Sequence, residues 1–168
     1  MASSLLGSLF RHKAVIGEEF LAAVDKIDAI AHAAERQAAI RLMNHIHVVD
    51  RIFAGHLRCE PHGFDATNTA NTPSLGELRN AVLVSDRWYV EHVDGLTPAV
   101  LAERIAFTFT DGLHGSMSRE EMLAHVISHG SYHRGAVGGI LLKLSVAAPR
   151  DLFTAYLHRI EPERRAAV

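Results

Sequence analysis

The sequence predicts an all-α fold, a four-helix bundle, with one short extended or hairpin segment near residues 103–117. Three observations carry this expectation. Long stretches place apolar residues at helical spacing. Two Ser-x-x-Glu capping boxes mark helix starts. The chain has 168 residues, 48% of them hydrophobic and 21% charged, which suits one domain spanning residues 1–168 with its own core. Four long amphipathic helices in a domain of this size pack as a bundle.

The elements follow in order. From Ser8 to Val24, Leu9, Val15, Ile16, Phe20 and Val24 make a one-sided stripe. A second helix runs from Asp28 to Leu57 without a proline. Asp28 can cap its start, and Ala38, Leu42, Ile46, Val49, Ile52, Phe53 and Leu57 supply its apolar face. Residues 59–73 are rich in Pro, Gly, Asn and Thr and read as a loop, long enough to suggest a functional role. Ser74 and Glu77 box the start of a third helix that continues through Val93. In the segment 103–112, Ile105, Phe107 and Phe109 alternate with small or polar residues, and Asp111-Gly112 signals a turn. Ser118 and Glu121 box the fourth helix, Arg119 to Leu144. Pro149 ends the bundle region, and Asp151 to His158 form a short closing helix.

Bulk properties exclude several function classes. A formal net charge of -2 argues against a nucleic-acid binder that relies on positive charge. The single cysteine, Cys59, allows no intrachain disulfide, and no basic cluster surrounds it to activate a thiolate. The first ten residues, Met1 to Phe10, are mildly apolar but lack the charged flank and cleavage site of a secretory signal. No run of about 20 uncharged apolar residues is available to span a membrane. A cytoplasmic location is the default expectation.

The unusual number is twelve histidines. On the fourth helix His125, His129 and His133 are spaced i, i+4, i+8, so neighbours in the series lie on one face one turn apart. Two such imidazoles can bite one ion. No Glu lies where a His-Glu-x-x-His protease would need it. Three cannot share an ion, because His125 to His133 spans about 12 Å of helix rise. A third ligand must come from another helix, and the second helix offers His45 and His47. His45 shares the inward face with Leu42, Val49 and Ile52, whereas His47 lies about 200° away around the helix, nearer solvent.

Asn44-His45-Ile46-x-x-Val49-Asp50-Arg51-Ile52, together with the stretch from His125 to Gly135, resembles the DinB family of DNA-damage-inducible, metal-binding four-helix-bundle proteins. The resemblance extends over nearly the whole chain, including Phe107 to Gly112 and Pro149-Arg150-Asp151. It implies one divalent ion, zinc or nickel with iron a further option, held by His45, His129 and His133. Many relatives carry Gln after His-Arg-Gly where this chain has Ala136. Three neutral imidazoles leave coordination positions open, as in catalytic rather than structural sites. Each ring needs a hydrogen-bond partner for its second nitrogen, and Asp50, Asp86, Asn44 and Tyr132 are the candidates.

Other conspicuous residues read more plainly. Trp88 and Tyr89 suit the core or an interface, and Arg134, pointing away from the ligand face, suits a surface or interhelical ion pair or the binding of a substrate anion. Gly130, Gly135, Gly138 and Gly139 are unfavourable inside a helix and imply close approach of another helix, including that of a homodimer partner. Two functions stay open. One is a metal-dependent enzyme, a thiol-dependent transferase or isomerase or a hydrolase, with a small-molecule thiol as partner. The other is a non-catalytic metal-binding stress-response protein.

Overall fold

The computed structural model describes residues 4–165; residues 1–3 and 166–168, the ends of the expected domain, lie outside it. The chain forms α1 (Leu5–Asp25), α2 (Ala33–Arg58), α3 (Leu75–Asp94), a short α4 (Pro98–Ala102), strands β1 (Arg104–Thr108) and β2 (His114–Ser118), α5 (Arg119–Lys143), α6 (Phe153–Ile160) and a 3₁₀ turn at Pro162–Arg164. The fold is mostly helical with one two-stranded antiparallel sheet. Among the long helices, α1 packs on α3 and α5, and α2 packs on α5 and α3. No helix among the described residues is long and apolar enough to cross a membrane.

Capping explains most of the boundaries. Helix α1 begins at Leu5, three residues before the expected Ser8, because the Ser4 hydroxyl accepts from the Gly7 amide at 3.0 Å. The expected start of α2 at Asp28 is too early. The Asp28 carboxylate accepts from the amides of Ile30 and Ala31 at 2.8 and 2.9 Å, which closes a turn, and the helix begins at Ala33. Both capping boxes form as the spacing predicts, at Ser74/Glu77 and Ser118/Glu121. The element missing from the sequence reading is α4, opened by the Thr97 hydroxyl on the Val100 amide with Pro98 in its first turn.

The hairpin spans 104–118, close to the expected 103–117, with Phe107 opposite Gly115. The loop between α2 and α3 folds back along α2. Gly55 permits this, since a Cβ there would sit 2.8 Å from the His62 Cβ. Arg41 donates to the Thr69 carbonyl and the Thr72 hydroxyl, and Asn44 donates to Asn68 and Thr69.

The interior holds two apolar clusters. One contains Ile16, Phe20, Val24, Met43, Leu78 and Val137 among others. The other contains Phe10, Phe53, Tyr89, Phe107, Met122 and Val126. Near the junction of these clusters, α1, α2, α3 and α5 carry Lys13, Asp50, Asp86 and Arg134, all buried. A polar layer therefore crosses the molecule between two greasy ends. In it the Lys13 ammonium lies 2.7 Å from Asp50 Oδ2 and 2.5 Å from Asp86 Oδ1.

Candidate metal centre

His45 on α2 and His129 and His133 on α5 come together between the two helices. Antiparallel packing of α2 on α5 sets the level: Ile46 faces Gly130, and Leu57 receives a hydrogen bond from Arg119 near the start of α5. The i, i+4 spacing then stacks two α5 rings opposite His45. Ring centroids stand 4.9 Å (His45 to His129), 4.5 Å (His45 to His133) and 4.5 Å (His129 to His133) apart. One ligand nitrogen from each ring lies within 4.8 Å of the other two. The Nε2 atoms of His45 and His129 are 3.1 Å apart. Four-coordinate zinc–nitrogen geometry calls for nitrogens about 3.4 Å apart, so the cluster is close to ligating dimensions.

The loop fixes the tautomer of His45. Its Nδ1–H donates to the Thr67 carbonyl at 2.7 Å, because a carbonyl can only accept. Its Nε2 therefore carries the lone pair, which faces the cluster 3.1 Å from His129 Nε2. Burial, then the neighbouring His133, His45 and His125 rings, lowers the pKa of His129 to about 3. Burial and His45 also lower that of His133. Both α5 rings are accordingly neutral at pH 7, each with one nitrogen able to present a lone pair. The donor set suits a divalent transition metal.

The other sequence candidates fall elsewhere. Asp50 and Asp86 do not serve the rings. Five residues beyond His45, Asp50 has rotated to a different face of α2, and both carboxylates are engaged by Lys13. Asn44 acts indirectly, by holding Asn68 and Thr69 and so the adjacent Thr67 carbonyl. Tyr132 is 77% exposed, with its ring edge-on to His133 at 5.0 Å. His125 stacks on His129 at 5.4 Å and on Phe53 at 4.6 Å, a neighbour as expected. His47 is buried rather than solvent-facing, and burial, followed by Arg51 and Lys13, lowers its pKa to about 4. It is covered because α3 and the long loop pack over that side of α2, where Leu78 and Phe64 line a cavity with it.

Arg134 forms an ion pair, buried rather than at the surface, with Asp151 at 2.9 Å in the segment between α5 and α6, and also donates to Ser131. Gly130 makes room for its guanidinium, since a Cβ there would meet Nη1 at 2.9 Å. Gly138 lies against Phe20 and Ala148, whereas Gly135 and Gly139 face open space. Sequence reasoning missed Thr67 and the Lys13 cluster. Nothing local marks a loop carbonyl as a ring acceptor.

A mostly helical protein with three histidines converging from two helices defines a class of candidate metal-binding helical proteins. More particularly, the chain belongs to the DinB family, whose sequence profile matches residues 1–164. No curated protein and no solved structure matches the chain.

Proposed function

We propose that this chain is a metal-dependent enzyme of the DinB type, built on a four-helix bundle of α1, α2, α3 and α5. In it His45, His129 and His133 hold one divalent ion, zinc or nickel in preference to iron. The observation that carries the reading is the convergence of three ring nitrogens with no fourth His, Cys, Asp or Glu joining them among the described residues. Three protein ligands leave a position for a small molecule, the arrangement of catalytic sites. A resident ion would supply Lewis acidity, lowering the pKa of a small-molecule thiol or of water. The protein supplies the rest. The Thr67 carbonyl orients His45, burial keeps His129 uncharged, and Phe53 and His125 wall one side. The chain's one cysteine, Cys59, is exposed at the end of α2, so a thiol-transfer reaction would draw its nucleophile from a small molecule. The substrate class is therefore a small-molecule thiol with an electrophile, or a hydrolysable ester or amide.

The test is elemental analysis of untagged protein, followed by a thiol-plus-electrophile screen. About one ion per chain is expected in the wild type. His45→Ala, His129→Ala and His133→Ala should each lose at least tenfold in metal affinity while helical content survives. Stoichiometric metal in all three variants would refute the site. Metal without turnover, across thiol and hydrolytic substrates, would favour a non-catalytic metal-binding stress-response role.

A further inference from the structure

Beside the triad lies a cleft that the proposed chemistry has not used. It is bounded by Ile52, Phe53 and His56 of α2, by Phe107 and Phe109 of the hairpin, and by Thr67 of the long loop. Two residues join it to the histidines. Thr67 lines the cleft and accepts from His45 through its carbonyl. Phe53 lines it and packs on His125, which stacks on His129.

The wall opposite α2 depends on one glycine. Phe107 and Phe109, two apart on a strand and its extension, point to the same side, with centroids 4.8 Å apart. Both rings lie across Gly115 of β2, where a Cβ would come within 2.8 Å of Phe109 and 2.9 Å of Phe107. A glycine is thus what lets two aromatic rings, set edge to face, pack over this point of the hairpin. Phe107 is buried and Phe109 is 44% exposed, so the pair forms a wall that ends at an open rim. An exposed phenylalanine held at the rim of an apolar cleft by such a device calls for an occupant.

We infer that this cleft takes a short aliphatic group of the small molecule whose polar head reaches the triad. The inference rests on the metal reading proposed above. Apolar walls favour hydrocarbon over a charged group, which would have to shed its water there. The volume of about 60 Å³ sets the size. A cavity of about 150 Å³ takes a benzene ring, so this one suits a short chain of a few carbons rather than an aromatic ring. The substrate class is accordingly narrowed to molecules with a short alkyl arm next to the group that meets the metal.

The test uses two probes that differ only in that arm. Acetohydroxamate and butyrohydroxamate are titrated calorimetrically into the zinc-loaded full chain. Butyrohydroxamate should bind about tenfold more tightly, as burial of two additional methylenes predicts. In Phe109→Ala, which removes the exposed wall, the preference should shrink below threefold while bound zinc and helical content stay unchanged. Equal affinity of the two probes for wild type would overturn the inference, as would an unchanged preference in the variant. A second readout does not need the ion. Addition of 1-butanol to the zinc-free chain should shift the ring signals of Phe53 and Phe107 in NMR spectra, and silence at those rings overturns the cleft by itself. A chain that takes up no zinc yet shows these shifts would refute the metal reading and leave the cleft standing.

Discussion

At the scale of single residues, protonation decides what the histidines can do. His47 and His129 are held neutral by burial, with pKa values lowered to about 4 and about 3 from an ordinary 6.5. The sign follows directly. Below pH 6.5 the unfolded chain takes up protons that the folded chain refuses, so acid favours unfolding. Asp50 works the other way. Burial raises its pKa to about 6, against the pull of Lys13, so between pH 6 and its ordinary 3.8 the fold gains a proton first. Two histidines outweigh one carboxyl, and the stability of the metal-free chain should fall between pH 7 and 5. Urea unfolding of His47→Gln should show a shallower fall over that interval, by about 2 kcal/mol. An identical pH dependence in the variant would show that His47 takes up a proton in the fold. Residue identity was well legible here for His45, His129 and His133, because the helical period places them. The environment of His47 was not, because its cover comes from α3 and a loop remote in sequence.

At the scale of elements, local hydrogen bonds set what the sequence could reveal. The Ser-x-x-Glu boxes name their helix starts because the donor and acceptor lie within four residues. Asp28 carries the same kind of signal but is spent on a turn, and no local rule separates the two outcomes. The long loop was recognisable from its composition, whereas its seating on α2 depends on Arg41, Asn44 and Gly55, which look unremarkable in a helix. Helix α5 carries two of the three site rings, so its cap gives a control. Ser118→Ala removes the acceptor of the Glu121 amide and should cost about 1 kcal/mol in thermal or urea unfolding. Zinc per chain should stay at the wild-type value, since the rings lie more than two turns away along the helix. Loss of metal in Ser118→Ala would mean that the start of α5 is coupled to the site.

At the scale of the whole molecule, the mostly helical character and the hairpin were legible from apolar period and alternation. The charged layer was not. Asp50 and Asp86 were conspicuous as carboxylates able to orient rings, and Lys13 drew no notice among the other charged residues of its helix, Arg11, Glu18 and Glu19. Their meeting depends on how α1, α2 and α3 are brought together. Burial alone would lower the pKa of Lys13, but the two carboxylates outweigh it and raise it, so the ammonium stays charged. Lys13→Met would leave two carboxylates facing each other in the interior. The expected cost is about 3–5 kcal/mol in urea unfolding at pH 7. Adding Asp50→Asn and Asp86→Asn should recover most of it. A single variant as stable as wild type would show that the cluster is wetter than its burial implies.

That layer also acts as an alignment pin. Apolar faces tolerate sliding, since one isoleucine contacts a leucine about as well as the next. A slip of α1 along its neighbours by one turn, about 5.4 Å, would instead carry the ammonium into one of the two apolar clusters and leave both carboxylates without a partner. Because Asp50 sits on the same helix as His45, whatever fixes the axial position of α2 also fixes the height of that ring against His129 and His133. A charge cluster that touches none of the three histidines thereby holds them in focus.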